Sequence, residues 1–302
     1  MGTYSSIAIN AIKARYNSDD IILEALFTMR YGTVMQCPKC NEEVKYRRIA
    51  ERKSYGCSNY ECRNQIYPMK GTIFEGTKTS LVTWIDIMID LSKTYTSTLE
   101  IAGRYLLTYK TAWNICRKIR LAKGSLLDEI LSGVVEIDET FLGGKKKLEV
   151  DKGKGEHRGK GIGDKDIVFG MLQRKKRLRL FSIEHKNSET MEPLIDKHIR
   201  TGTTIHRDGN ASYGDLESKG YKPKLVKGKS SKTFLRGTHN NNIEAAWSRL
   251  KKKIEGTYVW VSSKHLQGYL DEYCFYYKTK KSMESLRDII DKLMIANIKI
   301  PS

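Results

Sequence analysis

Acid is scarce in this sequence: 35 Asp and Glu face 54 Lys and Arg, a formal net charge of +19 over 302 residues. Self-repulsion of that size is tolerable when the working partner is a polyanion, because neutralised phosphates release counterions. A basic chain can also be basic only for solubility, so charge favours nucleic acid without settling it. Long apolar runs are missing too. None approaches the roughly 20 residues that span a bilayer, so neither a transmembrane helix nor a membrane partner is expected. The opening MGTYSSIAINAIKARYN has no secretory apolar core, so the chain is expected to stay in the compartment where it is made. No internal repeat is visible. Cysteine is sparse at six, and without a secretory context disulfides are disfavoured.

With 39% hydrophobic and 29% charged residues, the composition suits a globular chain. The positive charge is spread through Lys145 to Lys147, His157 to Lys165, Arg174 to Arg179, Lys222 to Lys232 and Lys251 to Lys253. That spread predicts an extended contact surface rather than one basic tail.

Hydrophobic periodicity divides the chain into five regions. Residues 1–34 form a helical lead-in, with a helix starting at Asp19-Asp20. Residues 35–70 carry four of the cysteines. Residues 78–123 have helical spacing. Residues 130–280 alternate strands and helices, and residues 281–302 end the chain in a helix. In the fourth region Val134 to Asp138 reads as a strand running out at Gly143-Gly144. Strands follow at 166–173 and 178–184, then a helix near 189–200, strands at 203–205 and 224–226, and helices from Asn241 onward. Three strands, helix, strand, helix, strand, helix is the order of a ribonuclease-H-like mixed sheet, giving an α/β fold class.

Cys37-Pro38-Lys39-Cys40 and Cys57 with Cys62 are two short pairs 16 residues apart. Such pairs on adjacent turns place four thiolates around one zinc ion, and four protein ligands make the site structural. A segment this short buries little apolar area, so the ion would supply much of its stability. Arg47, Arg48, Arg52 and Lys53 nearby suit DNA, although zinc ribbons also make protein contacts. Cys116 and Cys274 stand alone, and Cys116, like Trp113, reads as a packing residue.

Ser97 with Glu100 is a capping box, and Thr108 caps a second helix a few residues on. Two capped helices on a tight connection read as a helix-turn-helix, whose second helix meets base edges in the major groove. Its outward face would carry Lys110, Asn114, Arg117, Lys118 and also Arg120. An αα-hairpin with a solvated basic face satisfies the same pattern.

Three acidic residues have unusual settings. Asp138 ends an apolar strand, Asp208 follows another, and Glu244 opens a basic helix. Carboxylates held on a rigid sheet suit magnesium or manganese, and two such ions serve phosphoryl displacement. Blander readings exist for each: Asp208-Gly209 is a turn dipeptide, and a first-turn Glu favours the helix dipole. Glu136 shares a strand face with Asp138, Glu139 points the other way, and either is able to support such a site. Lys251, two turns after Glu244, is placed to hold a phosphate, or belongs to a solvated Lys251-Lys252-Lys253 run.

At this level of detail the chain resembles insertion-sequence DDE transposases related to the Merlin superfamily, whose members carry an N-terminal zinc ribbon. The likeness rests on Cys37-Pro-Lys-Cys40 with Cys57 and Cys62, and on Val135-Glu-Ile-Asp138-Glu-Thr-Phe-Leu-Gly-Gly144. It extends through His206-Arg-Asp208-Gly-Asn-Ala-Ser-Tyr213, and through His239-Asn-Asn-Asn-Ile-Glu244 with Trp247 and Lys251. Gly256-Thr-Tyr258 and His265 to Glu272 complete it.

The resemblance implies a ribonuclease-H-like core that cuts double-stranded DNA at transposon ends and joins the freed 3′ hydroxyl to target DNA. Asp138, Asp208 and Glu244 fall on its triad, which would hold two Mg2+ or Mn2+ ions beside the one structural Zn2+. It also implies a homo-oligomer, since two ends must be handled, and residence with the DNA, cytoplasmic at the nucleoid in a bacterium or nuclear in a eukaryote. A non-catalytic DNA-binding regulator and a structure-specific nuclease on the same core are the rival readings. The basic stretch 145–165 either contacts DNA ends or is an insertion.

Overall fold

The computed structural model describes residues 4–143, 165–208, 213–226, 239–279 and 286–298. The chain divides into two units, Met1–Leu126 with Ser282–Ser302, and Leu127–Lys281. The basic stretch 145–165 lies outside the described residues apart from Lys165. Among the described residues no helix is long and apolar enough to cross a membrane.

In the first unit, helices α1 (Ser6–Arg15) and α2 (Asp19–Tyr31) each start behind a serine. Ser5 Oγ accepts the Ala8 N–H and Ser18 Oγ accepts the Ile21 N–H. These bonds satisfy backbone donors that a helix start leaves open. Two small antiparallel sheets follow: β1 (Met35–Gln36) with β2 (Glu43–Val44), and β3 (Tyr46–Arg48), β4 (Tyr55–Cys57) and β5 (Gln65–Ile66) in that order. Strands of two or three residues bury little by themselves. Their aromatic anchor is Tyr55, which stacks on Phe27 of α2 at 4.2 Å between centroids.

Helix α3 (Leu81–Lys93) is apolar on nearly every side and correspondingly buried, from Leu81 and Trp84 through Leu91. The expected capped pair follows as α4 (Thr98–Arg104) and α5 (Tyr109–Ser125). Ser97 Oγ accepts the Glu100 N–H and Thr108 Oγ1 accepts the Thr111 N–H, both at 3.2 Å. The C-terminal helix, Leu286–Ile295, packs against α1, α2 and α3 in this same unit. It buries Leu286, Ile289, Ile290, Leu293 and Met294, and the Tyr16 hydroxyl donates to its Asp291.

The second unit is built on five strands. β6 (Val134–Leu142), β7 (Asp166–Gln173) and β8 (Arg177–Ile183) form an antiparallel meander. Helix α6 (Ser188–His198) then leads to β9 (Thr204–Arg207), parallel to β6, and β10 (Lys222–Leu225) lies parallel to β9. The order β10-β9-β6-β7-β8 is the ribonuclease-H-like arrangement. Side chains alternate across the sheet. One face gives Val135, Ile137, Phe169, Met171 and Ile205 to a core with Met191 and Ile195 of α6 and with Tyr213.

The opposite face receives α7 (Asn241–Lys253) and, after a π-helical turn at Ile254–Tyr258, α8 (Ser263–Thr279). Gln267 of α8 accepts from the Ser182 N–H and donates to the Leu180 carbonyl, satisfying the free edge of β8 as a further strand would. The Tyr258 hydroxyl donates to buried Glu272 at 2.7 Å, which joins the two last motif segments.

Candidate functional site

The four sulfurs of Cys37, Cys40, Cys57 and Cys62 all lie within 4.8 Å of one another, with Cys37 and Cys62 3.6 Å apart. A tetrahedral zinc with bonds of about 2.3 Å spaces its sulfurs about 3.8 Å apart, so the set fits one such ion. Backbone geometry supports it: Asn41 takes the left-handed conformation (φ 59°) and its N–H closes on the Cys37 carbonyl at 2.9 Å. Burial pushes the Cys37 thiol up, but the Tyr46 hydroxyl and nearby backbone N–H groups outweigh it and hold the thiol at about 5. Burial and the other sulfurs push Cys57 up to about 12. Four sulfurs this close become thiolates together only with a cation between them. Among the basic neighbours Arg47, Arg52 and Lys53 are exposed, whereas Arg48 is tied to Asp20 and to the Ile49 carbonyl.

On α5, Lys110 and Asn114 are exposed and Arg117 is half-buried with its guanidinium over the Trp113 ring. Lys118 is also half-buried and donates to the Glu75 carbonyl at 2.5 Å. Arg120 corrects the sequence expectation. It is only 2% exposed, on the same side of α5 as Ile119 and Cys116, and does not belong to the outward face. Cys116 is buried, as a packing residue should be, and so is Cys274.

The strand register brings Asp138 and Asp208 together. β6 and β9 pair in parallel with Val134 opposite Thr204 and Glu136 opposite His206. Carried two positions further, that register sets Asp138 beside Asp208. Asp138 does not end its strand as the sequence suggested: β6 continues to Leu142 along β7, and Asp138 instead marks where the ladder to β9 has stopped. Carboxylate oxygens of Asp138, Glu139 and Asp208 lie within 4.8 Å of one another. Burial raises Asp138 to about 6, with the charges of Glu139 and Asp208 adding to the rise and the Trp247 and Glu139 N–H groups opposing it. A half-buried cluster of acids suits a hard divalent cation. Glu244 is exposed on the first turn of α7 and is not among the converging oxygens. Lys251 is half-buried two turns on.

Two contacts fasten α7 to β6. Glu136, fully buried, accepts from the Asn242 and Ile243 N–H groups at 3.1 and 3.0 Å, from Asn242 Nδ2 at 2.7 Å and from Arg174 Nε at 2.8 Å. It therefore caps the helix from another element, where Asn240 makes no side-chain cap. Arg174 also donates to the His239 carbonyl, and the Asn240 amide to the Ile137 carbonyl, which adds two more ties at the start of α7.

The second fastening is Trp247, whose Nε1 donates to Asp138 Oδ2 at 3.0 Å. The indole lies over Gly170, the register partner of Asp138. A Cβ there would sit 2.5 Å from Cζ2 of the ring and nearer still to Cη2. Sequence reasoning did not find Gly170 or Arg174. A glycine inside an otherwise bulky strand was the available signal for the first; the second was hidden in a basic run.

A ribonuclease-H-like sheet with paired aspartates at its centre, in a chain carrying four clustered cysteines, is the frame of a metal-dependent transposase. A family model described as the ISXO2-like transposase domain matches residues 130–278, and one described as a transposase zinc-ribbon domain matches residues 17–65. Together these segments span well over half of the chain, which belongs to the ISXO2-like insertion-sequence transposases.

No match was found among curated proteins. Solved structures that overlap it loosely include three complexes of one transposase. The Mos1 strand transfer complex is 13% identical, covering 72% of this chain and 78% of that one at a TM-score of 0.30. The Mos1 transposase paired-end complex with left transposon end is 14% identical over 69% and 74%, at 0.29. The pre-cleavage Mos1 transpososome is 12% identical over 72% and 79%, at 0.27. Likenesses this loose say nothing about individual residues.

Proposed function

We propose that this transposase cuts double-stranded DNA at the terminal inverted repeats of its element and joins the freed 3′ hydroxyl to target DNA. Asp138, Asp208 and Glu244 would hold two divalent ions, magnesium or manganese. The observation that carries the reading is the β6–β9 register, which sets Asp138 beside Asp208 although 69 residues separate them in the chain. When bound, such an ion pair supplies activation of the attacking oxygen and stabilisation of the leaving one.

The chain's own residues supply position and charge. Trp247 fixes one oxygen of Asp138, and Glu136 with Arg174 fixes the start of α7. Glu244, one turn before Trp247, is held on the same helix and turns its carboxylate toward the aspartates when DNA assembles with the site. Lys251 binds a backbone phosphate further along α7. In the first unit, Lys110, Asn114, Arg117 and Lys118 with the zinc ribbon would read the transposon ends. Handling two ends implies at least a dimer.

The test incubates the protein and magnesium with DNA carrying the element's ends, comparing wild type with Asp208→Ala. Strand-joined product from the wild type alone supports the reading. Equal product from both removes Asp208 from the mechanism, and cutting without joining favours a nuclease. Binding without cutting by the wild type favours a regulator.

A further inference from the structure

We propose that Glu139 is a third protein ligand of the ion held by Asp138 and Asp208, so that one divalent ion binds the DNA-free protein without Glu244. This rests on the reading above only in taking Asp138 and Asp208 as metal ligands.

Strand alternation argues against the assignment at first, since Asp138 and Glu139 point to opposite faces of β6. The end of the β9 ladder resolves the conflict. Pairing stops at Glu136 and His206, so the next residues of β6 have lost their neighbour on that side. Asp208, just past β9, stands at this gap and meets one carboxylate from each face. All three residues then offer oxygens within 4.8 Å of one another. Ligand oxygens around an octahedral ion with bonds of about 2.1 Å lie about 3 to 4 Å apart, so movements under an ångström close the site.

The second observation is an unsatisfied oxygen. The Glu139 side chain is 2% exposed. Its Oε2 accepts from the Tyr213 hydroxyl at 2.9 Å and pairs with Lys186 Nζ at 3.2 Å. Its Oε1 is buried and has no hydrogen-bond partner. A buried carboxylate oxygen without a donor is costly, and native structures seldom keep one. Tyr213 and Lys186 thus hold the carboxylate by one oxygen, and the other has acceptor capacity that no donor uses. A Glu139 present only to pair Lys186 and Tyr213 would gain nothing from a buried second oxygen without a donor, nor from lying beside two aspartates.

The two roles predict opposite behaviour from two variants. Titrate Mn2+ into zinc-loaded, DNA-free protein and follow binding by calorimetry and by the loss of free Mn2+ resonance signal. Glu139→Gln, its fold checked by circular dichroism, should bind the first Mn2+ at least tenfold more weakly, whereas Glu244→Gln should bind it within twofold of wild type. Lys186→Met keeps Glu139 and removes a competing cation, so it should bind Mn2+ several-fold more tightly. Wild-type affinity in both Glu139→Gln and Lys186→Met overturns the proposal. Should Asp138→Asn and Asp208→Asn also bind Mn2+ like wild type, the carboxylate site as a whole fails, and with it the reading of function.

Discussion

Trp247 and Asp138 are 109 residues apart in the chain, yet the indole N–H of one donates to the carboxylate of the other at 3.0 Å. The bond exists because residue 170, between them on the sheet, has no side chain. It puts the first aspartate in a fixed rotamer and ties it to the helix that carries Glu244. A neutral donor also stabilises the ionised form of a carboxylate that burial has raised to about 6.

Replacing Trp247 with Phe keeps most of the ring and removes that donor. A lost hydrogen bond to a charged group costs about 2 kcal/mol, so the magnesium concentration for half-maximal strand joining should rise roughly tenfold or more. A magnesium titration of product yield reads this directly. An unchanged midpoint means that Asp138 needs no such orientation.

Glu136 should matter to stability more than its position in a strand suggests. In Glu136→Gln only one acceptor oxygen remains, so the new NH2 must meet either the Asn242 and Ile243 N–H groups or the Asn242 amide and Arg174, donor against donor, and the charge that pairs Arg174 is gone. The expected loss is about 3 kcal/mol, read from urea unfolding of the variant beside wild type. Coincident curves would show that the cap does not hold α7.

The ribbon should carry one zinc per chain by elemental analysis, and Cys37→Ser should lower that to none. Exhaustive chelation should loosen residues 35–70 to protease without changing cleavage within the second unit, which has its own core. Zinc retained at one per chain in Cys37→Ser would contradict the four-thiolate site.

A pH test is available away from both metal sites. Burial raises Asp271 to about 6 against the opposing effects of the Gln267 amide and Arg179. The folded state therefore prefers the proton more than the unfolded chain does, whose aspartates titrate near 3.9. Ionised Asp271 costs stability above pH 6, and that cost fades as pH falls toward 4. Asp271→Asn should be more stable than wild type by about 1 kcal/mol at pH 8, solvent screening holding the gain well below the full shift. At pH 4 the two should unfold together. A gain of the same size at both pH values would assign the effect to packing.

The sequence was most legible where one periodicity ruled. Alternation from Val134 marks β6, and the caps at Ser97 and Thr108 set the starts of α4 and α5 within a residue. The cysteine spacing predicts the sulfur cluster because a ribbon's geometry is local. What escaped depends on neighbours distant in the chain. Asp138 looked like a strand end because its apolar run stops there, whereas β7 carries the strand on to Leu142. The sequence offered Glu136 and Glu139 as equivalent supports. Only the arrival of α7 at Glu136, and of Tyr213 and Lys186 at Glu139, sets them apart. Arg120 read as outward because a basic residue on a basic helix is usually solvated, and the packing of α5 decided otherwise.

The most direct test is anomalous scattering from crystals grown with Mn2+ and a DNA duplex ending in the element's terminal repeat. The account predicts manganese within about 2.2 Å of carboxylate oxygens from both Asp138 and Asp208, with Glu244 drawn in to a second peak about 4 Å away. Manganese bound elsewhere, with those two aspartates dry of it, would contradict the account.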